Sequence, residues 1–217
     1  MERLKVGVLI SGRGSNLQAL IDAAADPAYP AEVALVISNR ADAAGLARAT
    51  TARIPHRVIP ESDRAAFAAA ADRELRAAKI GLVALAGFMR LLDMDFVAGW
   101  RDRMVNIHPS LLPAFPGLHP QRQALAAGVK FSGCTVHFVR AEVDTGPIIA
   151  QAVVAVENGD DEDRLAARIL AAEHRLYPLA VRLYAEGRLT IAGNQVVVAG
   201  ATAPDIVATN PLGAVLN

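Results

Sequence analysis

Asn106, His108 and, 36 residues further on, Asp144 are the side chains of this chain best suited to chemistry. They lie in two segments, MVNIHPSLLPAFPGLHP (104–120) and VHFVRAEVDTGPIIAQ (136–151), and in each an apolar strand-like run breaks abruptly into a loop. An amide can polarise a carbonyl and donate to the oxyanion that forms on it. An imidazole can move a proton, and a carboxylate beside it favours its charged form. In a short strand ending Asn106-Ile107-His108, alternation puts Asn106 and His108 on one face and Ile107 on the other. Prolines 109, 113 and 116, with Gly117, stiffen the loop that follows. The competing readings are a histidine hydrogen-bonded within its loop and, for Asp144 in VDTGP, an Asx turn. The paired placement on a rigid loop favours the functional reading.

The remaining titratable candidates carry less. His137 shares a strand face with Thr135 and Val139 and reads as a structural or supporting histidine. His119 in PGLHP fits either role, and His56 and His174 read as structural. No HExxH, CxxC or tight His/Asp cluster at ligand spacing occurs, so no metal is expected. A GxSxG elbow is also lacking. Cys134, on a buried strand face, is expected to be inert.

A second motif, SGRGSN (11–16), sits between an apolar strand and a helix. Such a glycine turn can cradle a phosphate, because backbone N–H groups approach it and the helix N-terminus adds positive potential. It is neither a P-loop, since no GK[ST] follows, nor a full dinucleotide fingerprint, since Leu17 stands where a third glycine is wanted. A plain tight turn with Ser15 or Asn16 as helix cap is the alternative; the polar atoms of Ser15 and Asn16 favour a monophosphate.

The elements that must position these residues alternate. Strands are expected at Val6–Ile10, Val33–Ile37, His56–Ile59 and Leu82–Ala86, and helices at Asn16–Ala25, Asp42–Thr51 and from Ser62 or Asp63 to about Ala78. That order implies a doubly wound, mostly parallel α/β sheet of Rossmann-like type. Ligands bind beyond the carboxyl ends of such strands, so Ser11–Asn16, Gly87–Leu92 and Asn106–Ser110 should open onto one edge. After a short helix at Gln121–Ala127, strands at Gly133–Val139 and Ile148–Val156 form an antiparallel element. A long helix, Glu162–Ala185, carries Leu165, Ile169, Ala172, Leu176 and Leu179 or Leu183 on one stripe, and Pro178 should kink or split it. Gly193-Asn194 signals a hairpin between Leu189–Ala192 and Gln195–Val198. The whole chain, 1–217, is read as one domain, with a core of about 5–189 and a C-terminal hairpin and loop-like tail of about 189–217.

Composition narrows the classes. With 53% hydrophobic residues and 22 positive against 22 negative side chains, the chain has neither the charge for nucleic acid nor that for a membrane surface. No apolar stretch reaches the ~20 residues of a membrane span, MERLKVGVLISGRG lacks the long apolar core of a signal peptide, and the single cysteine suits a reducing compartment. A cytoplasmic protein acting on small molecules, as a monomer or homodimer, is expected.

SGRGSNLQAL, AGFMRLL, NIHPSLLPAFPGLHPQRQAL, GCTVHFVRAEVDTGPIIAQ and EHRLYPLAVRLYAEGRL together resemble the folate-dependent formyltransferases, and within them the phosphoribosylglycinamide formyltransferases of purine biosynthesis. The likeness runs from Val6 to about Leu189. The Asn-x-His-Pro-Ser-Leu-Leu-Pro and Asp-x-Gly-Pro segments are similar across the wider group; GSNLQAL and EHRLYP point to this member. The resemblance implies that Gly14, Ser15 and Asn16 hold the phosphate of phosphoribosylglycinamide, and Glu173 its ribose or glycinamide end. It implies that Met89, Arg90, Leu91 and Leu92 line a pterin pocket for 10-formyltetrahydrofolate, the co-substrate. The backbone of Arg140, Ala141, Glu142, Val143 and Asp144 would close that pocket, and Arg64 would meet the folate tail. Asn106 would bind the formyl oxygen, also touching the folate, with His108 as acid and Asp144 tuning it. Three rivals stand beside this expectation. A formyltetrahydrofolate deformylase would use the same residues with water as acceptor. A methionyl-tRNA formyltransferase would need a further tRNA-binding domain. A non-catalytic nucleotide-binding module would explain the glycine turn alone.

Overall fold

Continuous apolar runs bounded by turns build a nine-stranded sheet in the computed structural model, which describes residues 2–202 and 210. The strands are β1 Leu4–Ile10, β2 Ala31–Ser38, β3 His56–Val58, β4 Leu82–Leu85, β5 Met104–His108, β6 Phe131–Phe138, β7 Ile148–Ala155, β8 Leu189–Ala192 and β9 Gln195–Val198. Their spatial order is β3-β2-β1-β4-β5-β6-β7-β9-β8. The first five pair in parallel, whereas β6 runs antiparallel to both β5 and β7. The order reverses between β1 and β4, where a doubly wound sheet leaves a crevice beyond its carboxyl edge. Strands covered on both faces alternate between two apolar layers. Val6, Val8 and Ile10 of β1 enter the larger core and Leu9 the smaller one.

Helices α1 Ser15–Ala24, α5 Pro120–Ala126 and α6 Glu162–Ala185 close the larger core, together with α2 Gly45–Thr51. On the opposite face α3 Arg64–Ala77 and α4 Met94–Gly99 contribute Phe67, Leu75 and Phe96, with Trp100 just beyond α4. Packing there is close: a Cβ at Gly7 would fall 2.5 Å from a Leu75 methyl, and that side chain would have to shift to admit it. Asp63, rather than Ser62, caps α3, accepting from the Ala66 N–H at 2.7 Å.

Several sequence expectations need correction. The Asp42–Thr51 helix starts later, at Gly45, because Asp42 is held by the Arg40 guanidinium and the Gly45 N–H donates to the Gly12 carbonyl at 2.9 Å. Helix α4 was not anticipated: six residues are too few to show a helical period. Pro178 does not split α6, which runs 24 residues as one element. Leu176, Tyr177, Ala180 and Val181, buried on either side of it, hold the helix where the proline removes a hydrogen bond. On the same helix Leu183 is buried while Leu179 is 46% exposed, which decides the stripe. The hairpin around Gly193-Asn194 forms as β8 and β9. Most of the expected tail, residues 203–209 and 211–217, lies outside the described residues. Among the described residues no helix is long and apolar enough to cross a membrane.

Candidate active site

The three polar segments do meet at the carboxyl edge. The Ser11 N–H donates to the Gly87 carbonyl at 3.2 Å, and the Ser11 hydroxyl accepts from the Met89 N–H at 2.8 Å while donating to Asn39 Oδ1 at 2.7 Å. One serine thus ties together the ends of β1, β2 and β4. Gly14 follows in the left-handed region, φ +68°, and a Cβ there would lie 2.6 Å from the Gly45 Cα, so the turn needs glycine on both counts. Arg48 Nε donates to the Arg13 carbonyl at 3.0 Å and braces the turn from below. Gly14 occupies the cap position of α1, and among the described residues no side chain caps that helix. Neither Ser15 nor Asn16 plays the capping role that the plain-turn alternative assigned them, and the helix N-terminus stays open to an anion.

Behind the turn, Asn16 Nδ2 donates to Glu173 Oε2 at 2.9 Å, and both residues are buried. Burial pushes the Glu173 carboxyl up to about 7, against the stabilising hydrogen bond from Asn16. Asn16 Oδ1, also buried, has no partner among the described residues. A ligand donor would satisfy it.

The second half of the site is organised by the antiparallel register, which sets Asn106 opposite His137 and His108 opposite Thr135. Asn106 and His108 share a strand face as expected. Asp144, at φ +57°, brings its carboxylate across from the loop after β6, with Oδ2 3.4 Å from His108 Nδ1 and Oδ1 3.7 Å from His137 Nε2. The Gly117 N–H donates to Asp144 Oδ2 at 2.8 Å, and the Phe115 carbonyl lies 3.0 Å from His108 Nε2. His108 is only 6% exposed, so its ring stands between a carboxylate and a carbonyl in a largely dehydrated setting. The loop after His108 is pinned by Thr135, whose hydroxyl donates to the Ser110 carbonyl at 2.7 Å and accepts from the Leu112 N–H at 3.0 Å. Asn106 Nδ2 lies 3.2 Å from His137 Nε2. Sequence reasoning placed His137 on a face with Thr135 without seeing that an antiparallel β5–β6 pair would aim that face at Asn106 and His108.

The residues expected around a folate fall into two groups. Met89, Leu91 and Val143 are largely exposed, as are Met94 and Leu118. Five of the nine exposed large apolar side chains among the described residues therefore lie in the segments that follow β4, β5 and β6, four in loops and Met94 at the start of α4, an arrangement that suits a flat aromatic ligand. Leu92 is half-buried against the α3/α4 core. The charged side chains turn elsewhere. Arg90 donates to the Glu61 and Ser62 carbonyls and lies over the Phe67 ring. Arg140 donates to Asp102 Oδ1 at 2.7 Å and to the Val139 carbonyl at 3.0 Å. Arg64 is exposed at the start of α3, and Ala141 and Glu142 are exposed in the loop before Asp144. That loop closes tightly, for a Cβ at Gly146 would sit 1.6 Å from the Phe138 carbonyl oxygen.

The other histidines lie apart from this cluster. His119 is exposed at the N-terminus of α5, 3.6 Å from Glu162. His56 contacts the Ile54 carbonyl, and His174 Nε2 is buried without a partner among the described residues. Cys134 is fully buried, and burial, then the charge of Glu173, pushes its thiol up to about 12. Among the described residues no group of three or more His, Cys, Asp or Glu side chains could hold a metal ion.

Known proteins carry the same framework. The trifunctional purine biosynthetic protein adenosine-3 of Drosophila melanogaster is 55% identical over 194 residues, 87% of this chain but 14% of that protein. This chain therefore spans about one seventh of that relative. The phosphoribosylglycinamide formyltransferase of Escherichia coli K12 is 46% identical over 88% of this chain and 92% of its own length. The crystal structure of glycinamide ribonucleotide transformylase 1 from Symbiobacterium toebii superimposes with a TM-score of 0.87 at 53% identity, covering 90% of this chain and 94% of that one. A formyltetrahydrofolate deformylase from Pseudomonas syringae is similar in fold, TM-score 0.86, at 28% identity and with 66% of its length covered. The formyl transferase family profile matches residues 4–181, from β1 through most of α6 and across every residue of the clusters just described. The chain belongs to the formyl transferase family.

Proposed function

We propose that this chain transfers the formyl group of 10-formyltetrahydrofolate to the amine of 5-phosphoribosylglycinamide. The observation that carries this reading is the shared face of Asn106 and His108 with the Asp144 carboxylate 3.4 Å from the imidazole, facing an edge that also holds an uncapped, glycine-turned helix N-terminus. The kinship to enzymes named for this reaction supports the choice of substrates.

The nucleotide's phosphate rests on the turn of Gly14, Ser15 and Asn16 against the α1 N-terminus, where backbone N–H groups meet its charge. Glu173 and the unpartnered Asn16 Oδ1 receive hydroxyl or amine donors from the rest of that molecule. The folate's ring system lies against the loops of Met89–Leu92 and Arg140–Asp144, and its acidic tail extends toward Arg64. These placements bring the amine and the formyl carbon together above Asn106 and His108. The amine attacks the formyl carbon, a C–N bond forms, and the carbonyl oxygen becomes an oxyanion stabilised by the Asn106 amide N–H and by protonated His108. The intermediate collapses by breaking the bond to the folate nitrogen. The proton lost by the amine is delivered to that nitrogen through His108 Nε2, while Asp144, fixed by the Gly117 N–H, holds Nδ1. The Phe115 carbonyl lies 3.0 Å from Nε2, and the substrate displaces that contact.

The rival with water as acceptor would use the same catalytic face. A spectrophotometric assay of 10-formyl-5,8-dideazafolate deformylation, with and without phosphoribosylglycinamide, separates the two. Turnover that requires the nucleotide supports transfer. Equal turnover without it moves the chain to the deformylase reading, and nucleotide binding with no turnover to a non-catalytic module.

A further inference from the structure

Of the polar groups at the site that the proposed reaction leaves without a task, His137 is the one that touches the amide expected to stabilise the oxyanion. The β5–β6 register places it directly opposite Asn106. Its ring has two distinct ends. Nδ1 lies 3.0 Å from the Phe138 carbonyl, which can only accept, so Nδ1 carries the proton. Nε2 is then left with a lone pair, and the atom 3.2 Å from it is Asn106 Nδ2. An asparagine amide can be inserted in either of two orientations. The opposite one would set Oδ1 against the Nε2 lone pair, two acceptors facing each other at a ring that is 2% exposed, with no room for water to intervene. Only one N–H of Asn106 is consumed by His137; the other remains to donate.

We propose that His137 is a positioning residue that, tethered by Nδ1–H to the Phe138 carbonyl, accepts from Asn106 and so fixes the amide with its second N–H toward the formyl oxygen. The inference rests on the formyl-transfer reading above. The groups facing this ring are Asn106 from β5, Asp144 with Oδ1 at 3.7 Å, His108, and Arg140. Burial acts first, and His108 and Arg140 with it, to disfavour the charged imidazole, against the Phe138 carbonyl and Asp144. The ring therefore stays an acceptor at neutral pH. A proton at Nε2 would turn it into a donor, force the Asn106 amide over, and draw Asp144 away from His108.

The test compares His137→Gln with His137→Asn, alone and combined with Asn106→Ala. Glutamine can place its carbonyl oxygen where Nε2 stood and keep the acceptor. Asparagine reaches only the Nδ1 position and loses it. Both variants are polar, and a thermal melt of each separates loss of fold from loss of kcat, so a merely structural role would lower kcat only in step with Tm. The expected result is kcat within about tenfold of wild type for His137→Gln. His137→Asn is expected to lose about 10²-fold, the scale of one misdirected oxyanion donor. The dissociation constant for phosphoribosylglycinamide, measured calorimetrically on the same proteins, should change by less than about threefold. In the Asn106→Ala background His137→Asn should cost less than about threefold further, because the amide it orients is gone. Equal kcat for the two His137 variants, or full additivity with Asn106→Ala, overturns the proposal while leaving the formyl-transfer reading intact. A wild-type protein without turnover on any formyl donor overturns both.

Discussion

Replacing Glu173 by glutamine perturbs the group in which burial and ionisation conflict most plainly. Glu173 is 5% exposed on α6, and among the described residues its carboxyl group is hydrogen-bonded by Asn16 Nδ2 alone. Its carboxyl, ordinarily at 4.5, is pushed up to about 7, so the folded chain holds this proton more tightly than the unfolded chain. The sign follows directly. The stability that Glu173 contributes is fully present below about pH 4.5 and is lost as pH rises through about 7, after which the cost is constant. At about 1.4 kcal/mol per pH unit, the interval from 4.5 to about 7 amounts to about 3 kcal/mol. Glutamine keeps an acceptor for Asn16 and never ionises. The stability of Glu173→Gln relative to wild type should therefore rise by about 3 kcal/mol between pH 4.5 and pH 8 and then level off. In a chain of this size that is roughly 6–12 °C in Tm. Urea unfolding at a series of pH values, followed through the single, buried Trp100, reads it directly. A stability difference that does not change with pH would refute the reasoning. The same substitution should weaken phosphoribosylglycinamide binding, which is the sense in which the site is kept at the expense of the fold.

Two further outcomes follow from the geometry. Gly14→Ala puts a Cβ 2.6 Å from the Gly45 Cα at φ +68°, and should cost about 1–3 kcal/mol of stability and at least about tenfold in nucleotide affinity. Calorimetric titration and a thermal melt check both, and unchanged affinity would remove the turn from the site. The Cys134 thiol, fully buried and raised to about 12, should resist iodoacetamide at pH 8 in the folded protein and take one equivalent in urea; rapid labelling of the folded protein would contradict that burial.

How much of this was legible in the sequence depends on the range of the interaction concerned. Local signals were sufficient for β1, for the Gly193-Asn194 hairpin and for the bounds of α6, because apolar runs, turn residues and a 3.6-residue stripe act over a few neighbours. Asn106 and His108 on one face followed from strand alternation alone. The pairing of β6 with β5 is a long-range choice, so the presence of His137 beside Asn106 could not be read from either segment. Arg90 and Arg140 show the same limit: their positions were legible as loop residues, but their guanidinium groups are drawn off by the Glu61 and Ser62 carbonyls and by Asp102. Pro178 does not split α6, because the loss of one hydrogen bond is outweighed by the buried side chains packed around it. Short α4 left no period to detect.

Asn106 and His108 act either as one catalytic face, as proposed here, or as a structural loop anchor. Steady-state kinetics of Asn106→Ala and His108→Ala, with phosphoribosylglycinamide affinity measured on the same samples, separate the two most directly. A catalytic face requires a fall in kcat of about 10²–10³ for each variant with nucleotide affinity nearly unchanged. Wild-type-like kcat in either folded variant would contradict it.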